Sequence, residues 1–181
     1  AGSLVGPPTS RSQNAYKNAT QQKLVIKCRI ECPRGSKMPK IAVIYASGLG
    51  RTKKMAEAIA SGAMTIEGTD VLLKDAYDAS IDDVADADAI VLGGSTYNYK
   101  LIKAMDPLLK EMAKLDLKEK VGVAFGSHGW SGEGVVTLIA RMKSFGMKVV
   151  EPGTTAIQVP SKEDIEKCFH LGRTIATGLA S

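Results

Sequence analysis

From Lys40 onward the chain alternates short apolar runs with stretches of helical periodicity, and few folds accept that pattern. "IAVIY" (41–45), "VLL" (71–73), "AIVLGG" (89–94) and "VGVAFG" (121–126) are apolar throughout, and "VV" (149–150) or "AIQV" (156–159) supplies a fifth run. A strand with one wet face alternates polar and apolar residues, whereas a strand covered on both faces does not. Met55, Ile59 and Ala63, with Ala56 and Ala60, form one helical face between the runs. Leu101, Ile102, Met105, Leu108, Leu109 and Met112 form a second stripe, and Val135, Val136, Ile139, Ala140 and Met142 a third. Ile165, Cys168, Phe169, Ile175 and Leu179 form the last. Asp106-Pro107 reads as an N-cap followed by a proline at the first helical position. Gly146 suits a helix exit, and Ser161 caps the last helix. Five strands alternating with helices predict a parallel sheet covered on both faces.

The 181 residues, 44% of them hydrophobic and 24% charged, are enough for one domain with a sizeable core. No apolar run approaches the ~20 residues of a membrane span, so no membrane insertion is expected. Three cysteines, Cys28, Cys32 and Cys168, are too few for a disulfide scaffold and point to a reducing, cytoplasmic setting. The net charge of +5 is uneven: residues 1–37 hold seven Lys/Arg and one acid, while residues 38–181 hold 17 basic and 18 acidic residues. The basic excess belongs to the tail, so no nucleic-acid partner is expected. Residues 1–37, rich in Gly, Pro, Ser, Asn and Gln, read as a linker, tag or targeting tail, with organelle targeting left open by its basic, acid-poor composition. Within it "KLVIKCRIEC" has the composition of an edge strand, and Met38 is a candidate start of the domain at 38–181. Cys28 and Cys32 read as two unpaired thiols, because no histidine or further cysteine completes a metal site beside them.

Function in such a sheet gathers at the carboxyl ends of the strands, near the point where strand order reverses. Three loops there are chemically unusual: "SGLGRT" (47–52), "GGSTYNYK" (93–100) and "GSHGWSGEG" (126–134). In a strand order of 2-1-3-4-5 they follow neighbouring strands and converge on one edge. In the first loop, Gly48 and Gly50 let backbone amides approach an anion, and Ser47 and Thr52 add hydroxyl donors. The helix that follows aims free N–H groups and its positive dipole end at the same spot, which makes a phosphate cradle. The loop lacks the G-x-x-x-x-G-K-[ST] spacing of a triphosphate site. Gly48-x-Gly50 is followed by Lys53 where a dinucleotide fingerprint has its third glycine. Asp70 or Asp75 in the role of a ribose-binding acid keeps a nucleotide alternative open, as does a tight turn with no ligand.

The second loop carries Tyr97 and Tyr99, and the third carries Trp130, the sole tryptophan. Aromatic side chains on glycine-rich loops beside a phosphate site suit a flat ring system. Packing at the sheet end is the alternative for Trp130. His128 suits either a ligand's edge or a loop position, and Glu133 suits the first turn of its helix better than a general acid.

"YASGLGRTKKMAEAIASG", "GGSTYN" and "AFGSHGWSGEGVVTLIARMKSFGMKVV" together resemble flavodoxins, above all the flavodoxin-like domain of flavodiiron proteins (A-type flavoproteins). The resemblance covers roughly residues 38–181 and implies a flavodoxin-like five-stranded sheet of order 2-1-3-4-5 that binds FMN. By resemblance, Ser47, Gly48, Leu49, Gly50, Arg51 and Thr52 hold the phosphate. Ser95, Thr96, Tyr97 and Asn98, with Ser127, His128, Gly129, Trp130 and Gly132, line the ribityl chain and isoalloxazine. Leu49, Gly94-Ser95 and His128 depart from the residues common in the family at those positions.

A diiron site needs a cluster of histidines and carboxylates, and the chain has only His128 and His170. The resemblance therefore implies an FMN electron carrier, or an electron-transfer domain of a flavodiiron-type system, with no catalytic acid, base or nucleophile of its own. Its implied partners are redox proteins, a reductase as donor and a diiron or other acceptor, and a homo-oligomer is compatible with it. A flavin-dependent quinone reductase and a flavin-free interaction domain are the alternative readings.

Overall fold

In the computed structural model, which describes residues 38–180, "IAVIY" sits at the middle of the fold because both of its faces are covered. Strand β1 (Lys40–Ala46) sends Ala42 and Ile44 to one side and Ile41, Val43 and Tyr45 to the other, and all five are buried. β1 pairs in parallel with β2 (Asp70–Asp75) on one side and with β3 (Ala89–Gly94) on the other. β3 pairs with β6 (Val121–His128), and β6 with β7 (Lys148–Ile157), which gives the parallel order β2-β1-β3-β6-β7. The short strands β4 (Thr96–Tyr97) and β5 (Lys100–Leu101) form a separate antiparallel hairpin. This is the flavodoxin-like arrangement: setting the hairpin aside, the five strands run 2-1-3-4-5.

Two apolar layers sandwich the sheet. One holds Met55, Ile59 and Ala63 of α1 (Arg51–Met64) with Cys168, Ile175 and Ala176 of α5 (Lys162–Ala180). The other holds Leu108, Leu109 and Met112 of α3 (Asp106–Met112) with Val135, Leu138 and Met142 of α4 (Glu133–Ser144). The short helix α2 (Ile81–Ala85) adds Val84 to that second layer. α1 and α5 cross so closely that a Cβ on Gly172 would collide with the Ile59 carbonyl oxygen. Among the described residues no helix is long and apolar enough to cross a membrane.

Four details depart from the pattern read in the sequence. The two candidate fifth strands are one strand, β7, interrupted by a register shift: Val123 pairs with Val150, but Phe125 pairs with Thr154. Glu151-Pro152-Gly153 fills that irregularity, where an edge strand tolerates proline. Leu101 and Ile102 precede the helix they were assigned to, because Leu101 belongs to the hairpin and a 3-10 turn (Lys103–Met105) leads into α3. Asp106 is the first helical residue and not its cap; Met105 holds the cap position, and no side chain caps this helix. Finally, α2 starts at a full capping box between Ser80 and Asp83 that the apolar periodicity did not reveal. The expected exit at Gly146 is a Schellman motif, with Met147 N–H donating to Met142 O (3.2 Å) and Gly146 N–H to Lys143 O (2.9 Å). Ser161 and Asp164 cap α5 reciprocally. The candidate strand "KLVIKCRIEC", Cys28, Cys32 and the boundary of the tail at residue 37 lie outside the described residues.

Candidate cofactor-binding site

The loop after β1 delivers the chain into α1 through Gly50, whose φ of 74° lies in the left-handed region that a side chain disfavours. The first recorded bond of that turn runs from Lys54 N–H to Gly50 O at 3.2 Å. The N–H groups of the preceding residues point forward without helical partners, as at any helix start, and no side chain caps them. The charges are unusual as well. The first turns of α2, α3, α4 and α5 carry Asp82 and Asp83, Asp106, Glu133, and Glu163 and Asp164, as the helix dipole favours. The first turn of α1 has no acid and carries Arg51, Lys53 and Lys54. Cations at the positive end of a helix are unfavourable alone, and a bound anion reverses the sign of that interaction.

Side-chain hydroxyls tie the three loops together. Thr52 is fully buried, and its Oγ1 stands 2.9 Å from Ser95 Oγ and 2.9 Å from Ser127 Oγ. A hydroxyl has one hydrogen and two lone pairs, so Thr52 donates to at most one of the two serines, and either oxygen can be the donor in each bond. Both bonds hold the Thr52 side chain against the other two loops, and its backbone N–H is a further donor at the start of α1. Gly134 N–H donates to Thr96 Oγ1 at 3.0 Å, which fastens the hairpin to the start of α4. Gln158 N–H donates to His128 O at 2.7 Å and holds the end of β6 against β7.

The convergence expected of the three loops is present. A cleft of ≈ 40 Å³ opens among Gly48, Leu49 and Arg51 of the first loop, Ser95, Thr96 and Tyr97 of the second, and Ser127, His128 and Gly129 of the third. A cleft this small receives small polar groups and excludes a tricyclic ring. Three buried polar atoms of these loops have no partner: Ser47 Oγ just before the cleft, His128 Nδ1 on its wall, and Glu133 Oε2 at the start of α4. Added Cβ atoms on Gly48 or Gly129 would meet nothing within 4 Å, so both stand over open space. Uncapped amides, orphaned polar atoms and open space over the glycines fit an anionic cofactor whose larger part rests outside the cleft. A larger cavity of ≈ 620 Å³ lies at the opposite edge of the sheet, beside Pro39, Asp88 and Val121, away from all three loops.

Leu49 and Tyr97 line the cleft, and Trp130 follows Gly129 of its wall in the chain. Tyr97 is 60% exposed, Leu49 68% and Trp130 90%. Trp130 therefore does not pack at the sheet end. Asn98 and Tyr99, both with positive φ, make the two-residue turn of the hairpin, and Tyr99 is 67% exposed. Gly132 sits at the cap position of α4. Glu133 opens α4, as expected; the Ser131 hydroxyl and its own backbone N–H hold its carboxyl below the usual range, so at neutral pH it is charged and has no proton to give. Of the two candidate ribose acids, Asp70 begins β2 at the wrong edge of the sheet, and only Asp75 ends at the loop side. Asp75 lies close enough to Tyr45 to add to the rise that burial causes in its phenol pKa. The links Thr52–Ser95, Thr52–Ser127 and Thr96–Gly134 carried no signal in the sequence, because each joins positions far apart in the chain.

The comparisons agree with this geometry. The flavodoxin family model matches residues 43–172. A nitric oxide reductase of Moorella thermoacetica is 33% identical over 162 residues, 86% of this chain and 40% of that protein. A flavodoxin of Aquifex aeolicus is 32% identical over 164 residues, 79% of this chain and 88% of that protein. A solved flavodoxin from the domain Archaea superposes with a TM-score of 0.74 at 35% identity, over 78% of this chain and 99% of that one. The chain spans about two fifths of the length of the flavodiiron-type relatives it matches. Flavodoxin-family proteins bind FMN. By family model, sheet order and relatives alike, the chain belongs to the flavodoxin family.

Proposed function

We propose that this chain holds FMN across the three loops, with the phosphate on Ser47–Thr52, and passes electrons between redox partner proteins. The observation that carries the reading is the start of α1: uncapped, free of acids, flanked by Arg51, Lys53 and Lys54, and opening on the small three-loop cleft. Each hydrogen bond to a charged group contributes roughly 1.5–3 kcal/mol, so a few such bonds anchor the cofactor firmly. The buried hydroxyl of Thr52 keeps the loops in register, while Arg51 closes the wall of the cleft beside the phosphate. Tyr97 and Trp130, both exposed, would hold the ring through aromatic area removed from water. Bound flavin supplies the one- and two-electron chemistry, and the protein supplies placement and surroundings.

The longer relatives include a nitric oxide reductase and a rubredoxin-oxygen oxidoreductase, so a carrier or electron-transfer domain serving a terminal reductase is the role that fits this part of their length. The few cysteines favour a reducing, cytoplasmic setting for it. The test is made on FMN-loaded protein without oxygen. Reduced protein should be reoxidised rapidly by a one-electron protein acceptor, with no sustained turnover of a nicotinamide and a quinone. Sustained turnover by the chain alone would make it a quinone reductase. Failure to retain any flavin would leave an interaction domain.

A further inference from the structure

The chain has two histidines, and His128 is the one at the cleft; His170 lies exposed on α5. His128 closes β6, and its carbonyl accepts the Gln158 N–H at 2.7 Å, which fixes its backbone. The Cδ2–Nε2 edge of its ring lies over Gly132, 3.6 and 3.7 Å from where a Cβ would stand, beside Thr155 Cγ2. Nδ1 is on the other edge of the imidazole, buried and without a partner, in a side chain that lines the cleft. A buried polar nitrogen is ordinarily hydrogen-bonded, so the vacancy calls for a polar guest. An imidazole is also the one kind of side chain on this wall that ordinarily titrates near neutral pH; guanidinium and hydroxyl groups do so far above it. The charged and titratable groups around it pull in opposite directions. From the loop before α1, Arg51 opposes a second positive charge on the wall, and from the hairpin Tyr97 adds a phenol. From α4, Glu133 favours that charge: its carboxyl is held low first by the Ser131 hydroxyl and its own backbone N–H, and then by His128. From β7, Thr155 and Ile157 carry no charge. With Arg51 against the imidazolium and Glu133 for it, the charge of a bound guest decides.

We propose that His128 is the proton-linked contact of the bound cofactor: Nδ1, as N–H, donates to an anionic atom of the cofactor, and Nε2 takes a further proton from water when that negative charge is present. The proposal rests on the cofactor reading above and adds the residue that ties it to pH. Two cofactor charges can supply the anion. The phosphate carries its charge in every redox state, so binding then takes up the proton. The ring gains charge when an electron arrives from the redox partner, so reduction then takes up the proton. In either case the bond formed is N–H, and water is the proton source. A neighbouring anion favours the imidazolium. The added affinity, or the added ease of reduction, is therefore present below the ordinary imidazole value near 6.5 and is lost as the pH rises past the value in the bound state. His128 departs from the residues common in the family at its position, so the coupling is particular to this chain.

The test uses the full chain and His128→Asn, which keeps a polar group near the place of Nδ1 and cannot titrate. The probes are FMN and riboflavin, and the range runs from about pH 7 to about pH 9, above the second ionisation of a phosphate monoester near 6. If the phosphate is the anion, FMN affinity of the parent should fall at least about fivefold over that range, with riboflavin affinity level and the variant's FMN affinity changing less than about twofold. If the ring is the anion, FMN affinity should stay level. The equilibrium constant for reducing the parent relative to the variant, read against dyes of known potential without oxygen, should then fall at least about fivefold. The proton affinity of the flavin itself cancels in that comparison. Proton NMR of the imidazoles reads the residue directly, with His170 as the reference signal left in the variant. The titration midpoint of His128 should rise on adding FMN or on fully reducing it, and this measurement on the parent decides the matter if the variant does not fold. A His128 midpoint that neither FMN nor reduction moves would overturn the proposal, as would the same pH dependence for parent and variant in both arms. Failure to bind FMN or riboflavin sinks the cofactor reading and this proposal with it; bound FMN with an unmoved His128 sinks this proposal alone.

Discussion

Thr52 and Arg51 are neighbours in the same cradle with different work. The Thr52 hydroxyl is buried between Ser95 and Ser127, so Thr52→Val keeps the volume, strands the Ser127 hydroxyl and leaves Ser95 only its 3.5 Å bond to Ala46 O. The cost is roughly 1–3 kcal/mol of stability. Because those bonds register all three loops, affinity for FMN and for riboflavin should fall together. Arg51→Ala should instead cost FMN about ten- to a hundredfold in affinity and leave riboflavin nearly untouched, since only FMN carries the phosphate. Calorimetric titration of both variants with both ligands separates the roles; a Thr52→Val variant that weakens FMN alone would make that hydroxyl a phosphate ligand. Trp130 is 90% exposed, so Trp130→Ala should move apo stability by less than about 0.5 kcal/mol. It should weaken FMN binding and brighten the emission of bound FMN, because a stacked indole quenches flavin. Quenched emission and unchanged affinity in the variant would place the ring elsewhere.

At the scale of elements, α1 and α5 depend on the absence of a side chain at their crossing. Gly172→Ala puts a Cβ against the Ile59 carbonyl, and backbone on a packed helix has nowhere to go. A loss of about 1–3 kcal/mol, read as a lower denaturation midpoint, is expected. The start of α2 responds to pH. Burial alone would raise the Asp83 pKa, but hydrogen bonds from Lys74 and Ser80 outweigh it and hold the carboxyl below its usual value. A lowered folded-state pKa stabilises the fold above the unfolded value, near pH 4, and that stability is lost as the pH falls through the folded value. Asp83→Asn should therefore lower Tm at neutral pH and narrow its gap to the parent in acid; an unchanged gap at both would contradict this. The elements differ in how far the sequence discloses them, for physical reasons. β1 and β3 are buried on both faces, so their apolar runs stand out. β7 is an edge strand broken by Glu151-Pro152-Gly153, so its two halves look like rivals. The β4–β5 turn uses Asn98-Tyr99 with positive φ at both and no glycine, which hides the hairpin. α2 goes unread in the sequence because five residues are too few to show a periodic stripe; its capping box between Ser80 and Asp83 is a finding of the structure. The loops of the site were legible from their glycines, hydroxyls and aromatics, whereas the bonds joining them span 43 and 75 positions and belong to no local pattern.

For the whole molecule, the change of composition and charge after residue 37 predicts a separable tail. A chain beginning at Met38 is expected to bind FMN as the full chain does, with Tm within about 2 °C of it. A drop of several degrees on thermal melting would mean that "KLVIKCRIEC" adds to the fold. The uncapped, basic start of α1, the three-loop cleft and the exposed aromatic residues are the basis of our proposal that the ligand is a phosphate-bearing flat ring. Calorimetric titration of the flavin-free chain with FMN and with riboflavin tests that most directly. One FMN per chain should bind, at least ~10-fold more tightly than riboflavin, as expected where the phosphate makes one or more charge-assisted bonds. Equal affinity for the two, or no binding of either, would contradict it.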